Sequence, residues 1–177
     1  HFPGAVQSSL KVGLPLFSRS HKDFISMQVL ATAMGGYFGS RLMQNLRERN
    51  GLTYGAYAAM INLDRSGYFV MRAEVAGEAT DRAIAEIMNE VERITTKPLH
   101  YKELEVVKKI IFGDVMRIFD GPFGVADVTI ENIQNGTDNG YTERFLREVE
   151  EFSPKKLLSA AARNLDKNNL TVTIVGD

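Results

Sequence analysis

Two alternating stretches separated by three polar residues constrain the fold more than anything else in this chain. Residues 53–63 form the first stretch and residues 67–75 the second. In the second, Phe69, Met71, Ala73 and Val75 fall on one side, while Tyr68, Val70, Arg72 and Glu74 fall on the other, which is the period of an extended strand. Only Asp64-Arg65-Ser66 lie between the stretches. A connection that short joins antiparallel neighbours, since parallel strands need a crossover of a dozen or more residues. The fold is therefore expected to contain a β-hairpin.

The rest of the chain reads mainly as helices in runs. Leu10, Val12, Leu14 and Leu16 alternate in a first strand from Ser8 to Leu16. Phe24, Met27, Leu30, Ala31 and Met34 then recur at helical spacing, with Asp23 at the start and Gly35-Gly36 at the end. A further helix is expected from Ser40 as N-cap, stopped at Asn50-Gly51, where glycine accepts the left-handed conformation that follows a helix. After the hairpin, Thr80 is expected to cap a helix carrying Ile84, Ile87, Met88, Val91 and Ile94. A long helix after Pro98 carries Leu104, Val107, Ile111, Val115 and Ile118, broken or kinked at Gly121-Pro122, with spacing resuming through Ala126, Ile130 and Ile133. Asn135 to Gly140 is a polar loop, Phe145, Leu146 and Val149 mark a short helix, and Ser153-Pro154 opens another. A strand from Leu170 to Val175 closes the chain. A hairpin plus runs of helices implies the α+β class, as a two-layer α/β sandwich with a mostly antiparallel sheet and helices on one face. Residues 1–177 are read as one domain.

Composition excludes several functions. Lys plus Arg number 21 against 22 Asp plus Glu, a net charge of −1. Nucleic-acid binders gather a basic excess, so no nucleic-acid partner is expected. With no cysteine in the chain, disulfides, thiolate nucleophiles and Cys-ligated zinc are ruled out. No apolar run approaches the roughly 18 residues of a membrane span. The chain opens His1-Phe2-Pro3 and reads as a piece of a longer protein; nothing in it chooses between cytoplasm and periplasm.

The motifs divide into ordinary and informative. His100-Tyr101-Lys102-Glu103-Leu104 has the outline of an H-x-x-E-H zinc site, but Leu104 stands where the second histidine would be. Zinc needs about three converging protein ligands, so His100 and Glu103 read as capping and solvated groups. Gly35 to Ser40 is glycine-rich and runs into a helix, where phosphate binds well. A helix rather than a strand precedes it, however, and a tight interhelical turn is the simpler account. Glu148, Glu150 and Glu151 read as a solvated face. No Ser sits in a G-x-S-x-G turn.

Residues 40–54, Ser-Arg-Leu-Met-Gln-Asn-Leu-Arg-Glu-Arg-Asn-Gly-Leu-Thr-Tyr, are the most informative. Arg47 lies in the last turn of a helix, where the dipole favours a cation. Tyr54 begins the next strand after a short Gly-bearing loop. On the residues alone, Arg47 serves its helix end and Tyr54 is an ordinary strand aromatic, or the two form a donor pair suited to a peptide carbonyl or developing oxyanion.

This stretch resembles the second-half signature of the pitrilysin/insulinase family of zinc metallopeptidases, which includes the mitochondrial processing peptidases. The pattern is a Ser-Arg-Leu helix start followed by Leu-Arg-x-x-x-Gly-Leu-x-Tyr, met by Ser40-Arg41-Leu42, Leu46-Arg47 and Gly51-Leu52-Thr53-Tyr54. The hairpin, the helix from Thr80, the Glu103-Leu104 helix and the terminal Leu-Thr-Val-Thr-Ile-Val-Gly strand follow in the family's order. The resemblance implies two homologous halves closing on an unfolded peptide, one holding zinc and the general base, the other supplying substrate contacts. This chain lacks the zinc residues, so it resembles the zinc-free half. It implies no cofactor in this chain, zinc in a homologous partner half (same chain or separate subunit), and a peptide substrate met by Arg47 and Tyr54. A non-catalytic structural or assembly module, as in the core proteins of the cytochrome bc complex, is the alternative. A binder of phosphorylated ligands at Gly35 to Ser40 is a third.

Overall fold

The computed structural model describes residues 1–176. Its order is β1 (Gln7–Leu16), α1 (Phe24–Gly35), a π-helix (Met43–Arg49), β2 (Thr53–Asn62), β3 (Gly67–Ala76), α2 (Thr80–Thr96), α3 (Tyr101–Ile118), α4 (Pro122–Gln134), α5 (Tyr141–Glu151), α6 (Pro154–Asn164) and β4 (Thr171–Val175). This is the expected α+β class. The strands form one antiparallel sheet in the order β2-β3-β1-β4, so the expected hairpin is its β2–β3 edge.

The alternation read in β3 is what builds the core. Phe69, Met71, Ala73 and Val75 are buried, as are Leu10, Val12 and Leu14 facing them from β1. Each large apolar side chain so buried contributes about 1.5–3 kcal/mol. The helices cover this face. α1 is apolar well beyond one stripe: Phe24, Met27, Val29, Leu30, Ala31, Ala33 and Met34 are all buried, because β2 lies on one side of it and α3, α5 and α6 on the others. Gly35 ends α1 so close to β2 that a Cβ there would stand 2.2 Å from the Ala58 nitrogen. Gly35 is thus needed for packing of helix on sheet.

Three caps differ from expectation. Asp23 precedes α1 but its side chain makes no cap bond; the carboxylate instead takes bonds from Arg163 at 2.8 Å and Asn164 at 2.9 Å, tying α6 to α1. Ser40 does not cap with its side chain, since its buried hydroxyl has no hydrogen-bond partner among the described residues while its carbonyl accepts from Gln44 N–H. Thr80 falls inside α2, because the turn Gly77–Ala79 already starts the helix, and its hydroxyl reaches Ser8 Oγ at 2.8 Å. Ser153 does cap α6, accepting from Lys156 N–H at 3.3 Å. No helix among the described residues is long and apolar enough to cross a membrane.

Candidate functional site

The helix from residue 41 starts as α and widens into the π-helix, then stops at Gly51, which has φ +60°. Gly51 N–H closes onto the Arg47 carbonyl at 3.1 Å and Leu52 N–H onto the Leu46 carbonyl at 2.7 Å. The chain then enters β2 through an irregularity. Thr53 pairs with Val75 but Ala56 with Ala73, so β2 carries one extra residue there. Such a bulge re-aims side chains. Thr53 holds it: the hydroxyl lies 2.6 Å from the Glu74 carbonyl and 2.8 Å from that of Gly55, its one proton serving one of them, and it accepts from Gly55 N–H at 3.1 Å. Ala56 N–H donates to Met43 Sδ at 3.2 Å, linking bulge and π-helix.

Two of the three arginines of this helix, Arg41 and Arg47, have different environments. Arg41 grips Glu103 of α3 through Nε at 2.6 Å and a second nitrogen at 3.0 Å, a two-pronged pair. Burial alone would lower the Arg41 guanidinium, but the bonds and charge of Glu103 outweigh it and raise its pKa. Burial, and then the Glu103 charge, likewise raise the Tyr37 phenol above its ordinary value. Arg47 has no such partner. Its guanidinium lies 4.6 Å from the centre of the Phe38 ring, with Glu48 alongside at 3.5 Å. A cation over an exposed ring gains only about 0.5–1 kcal/mol, so Arg47 can exchange that contact for another.

Tyr54, placed by the bulge, is 92% exposed. It stands on β2, whose outer edge has no strand partner among the described residues. Beside it a shallow groove of about 430 Å³ runs over Gly55, Tyr57, Arg72 and Glu74. Arg47 and Tyr54 thus flank the same loop at one end of the sheet, without a hydrogen bond or ring contact between them among the described residues. Phe38, 61% exposed, joins Arg47 in the structure; its glycine-flanked run reads in sequence as a tight turn or a phosphate site, and neither reading singles out Phe38. Asn45 and Glu90, both buried, likewise belong to no motif in the sequence. A buried Glu inside an apolar stripe is the signal that would have found the latter.

The residues do not fit a zinc ion. His100 Nδ1 accepts from Lys102 N–H at 3.2 Å, which makes it the cap of α3. Glu103, expected to be solvated, is instead engaged with Arg41, because α1 and the helix after it bring that cation against α3. Among the described residues no three His, Cys, Asp or Glu side chains converge on a point that could hold a metal.

Residues 2–111 match the family model of the peptidase M16 inactive domain. A non-peptidase homolog, YmxG, of Helicobacter pylori is 22% identical over 97% of the chain and 40% of its own length. An uncharacterized zinc protease of Mycobacterium bovis is 24% identical over 97% of the chain and 39% of its own length. The crystal structure of the peptidase M16 inactive domain from Pseudomonas fluorescens matches with a TM-score of 0.89 at 21% identity, over 98% of this chain and 41% of that one. The chain therefore spans about 40% of the length of the curated relatives it matches.

Proposed function

The chain belongs to the M16 peptidase family, as an inactive domain, and on that premise we propose that it is the zinc-free, substrate-binding half of a zinc-dependent metalloendopeptidase acting on unfolded peptides. Zinc and the general base belong to a homologous partner half, in the same chain or a separate subunit. This half contributes positioning. The observation that carries the reading is the display of Tyr54 at 92% exposure on an edge strand, across a short glycine-bearing loop from Arg47, which is held only by the Phe38 ring and the adjacent Glu48. A guanidinium and a phenol are both donors, and a peptide lying along β2 offers carbonyl acceptors to them. The unpaired β2 edge adds main-chain donors and acceptors for an extended chain. Donors preset toward a scissile carbonyl stabilise the charge that develops there.

A second reading, a structural or assembly module that has kept the fold, draws support from the Helicobacter relative, which is a non-peptidase homolog. A half-buried Arg47 and an exposed Tyr54 flanking one loop have no use in a pure scaffold. The two readings separate when the zinc-bearing half is prepared with and without this chain. The expected result is zinc in both preparations and hydrolysis of an unstructured peptide only when this chain is present. Undiminished hydrolysis without it contradicts the reading.

A further inference from the structure

The segment carrying Arg47 is wound more loosely than an α-helix, and its buried side shows what holds it so. Asn50 N–H donates to the Asn45 carbonyl at 3.1 Å, five residues back. Turns of this kind are rare and occur frequently at functional sites. Asn45 is the anchor. Its side chain is buried, and its Nδ2 donates to Glu90 Oε1 at 2.8 Å and to Glu86 Oε2 at 3.0 Å, both on α2. Carboxylates only accept, so the amide is locked with its nitrogen toward α2 and its oxygen toward Asn50.

Asn50 closes the turn from the other side. Its Nδ2 donates to the Asn45 carbonyl at 3.0 Å and to Asn45 Oδ1 at 2.7 Å, while its own Oδ1 accepts from Arg82 of α2 at 2.8 Å. Glu90, itself buried, is held further by Arg93 at 2.9 Å. The wide turn is thus bonded to α2 at two points, and the bonds to carboxylates are of the stronger, charge-assisted kind.

Two residues along a helix, α or wider, amount to about half a turn. A side chain anchored at Asn45 therefore dictates the direction in which Arg47 leaves on the opposite side, where it meets Phe38. We infer that Asn45, backed by Glu90 and Asn50, is the positioning residue for Arg47, pinning the wide turn to α2 so that the guanidinium is presented to a bound peptide. This rests on the substrate-facing reading of Arg47 above. Closing the same residues into an α-turn would rotate Arg47 about the axis relative to Phe38 without touching Arg47 itself.

The test uses the parent protein that contains this chain, a fluorogenic unstructured peptide as probe, and the variants Asn45→Ala, Asn50→Ala and Arg47→Ala. Asn45→Ala is expected to lower kcat/KM roughly 10- to 100-fold, the scale of a small misplacement in a preorganised site. Added to Arg47→Ala, it should lower kcat/KM by less than about two-fold more, because both changes act through one group. Should Asn45→Ala fail to fold, Asn50→Ala, at the half-buried rim, carries the same test. A folded Asn45 or Asn50 variant with wild-type kcat/KM beside an impaired Arg47→Ala overturns the positioning role alone, as do additive effects. An Arg47→Ala protein with full activity overturns the substrate-facing reading of Arg47, and the positioning role with it.

Discussion

Residues 40–54 and residues 116–134 carry similar mixtures of apolar, amide and charged side chains, and the fold treats them in opposite ways. In the first, Leu42, Met43 and Leu46 are buried, Asn45 bonds inward to α2 and Arg41 to α3. Arg47 and Tyr54 are left facing outward. In the second, Phe123 is 84% exposed and Ile133 74%, while the polar Asn132 is buried at 4%. Helical spacing is present in both, but only the first has a sheet and neighbouring helices to receive its apolar side. The difference teaches that periodicity names an element, whereas burial depends on what the chain brings against it. It also shows where this fold holds side-chain direction tightly: in the turn before β2, not in α4.

The comparison can be broken from either side. Leu46→Ala removes a fully buried side chain from the tight region and should destabilise the chain by about 2–5 kcal/mol in urea unfolding. A loss below about 1 kcal/mol would mean that the turn is less well packed than its burial indicates. At the other extreme, Ile133→Ser in α4 should change stability by no more than about 0.5 kcal/mol, as expected of an exposed site. A loss of about 2 kcal/mol there would mean that α4 is covered in solution, and the contrast would then collapse.

Much of this was legible in the sequence. The hairpin, β1, β4, the stop at Gly51, the histidine cap of α3 and the Ser153-Pro154 start all follow from local chemistry acting over a few residues. The features that give the candidate site its shape do not. Leu42, Met43 and Leu46 fit an α-turn as well as a wider one, so the π winding was invisible until Asn45 met Glu90, 45 residues away in sequence. The bulge at Tyr54 is a mismatch between two strands and has no signature in either one alone. Asp23 and Thr80 stand where their sequence neighbours suggest caps, but their partners, Arg163 and Ser8, lie in distant elements. The resemblance of residues 40–54 to a peptidase signature located Arg47 and Tyr54. It named neither Phe38 beneath the guanidinium nor the amide that steers it.

The central claim is that Arg47 and Tyr54 act on the substrate rather than on the fold. Its most direct test is the turnover of an unstructured peptide by the assembled, zinc-loaded enzyme carrying Arg47→Ala or Tyr54→Phe, with unfolding of each variant followed in parallel. The account predicts a fall of about 100-fold in turnover with zinc content and stability unchanged. Near-normal turnover in both variants would contradict it.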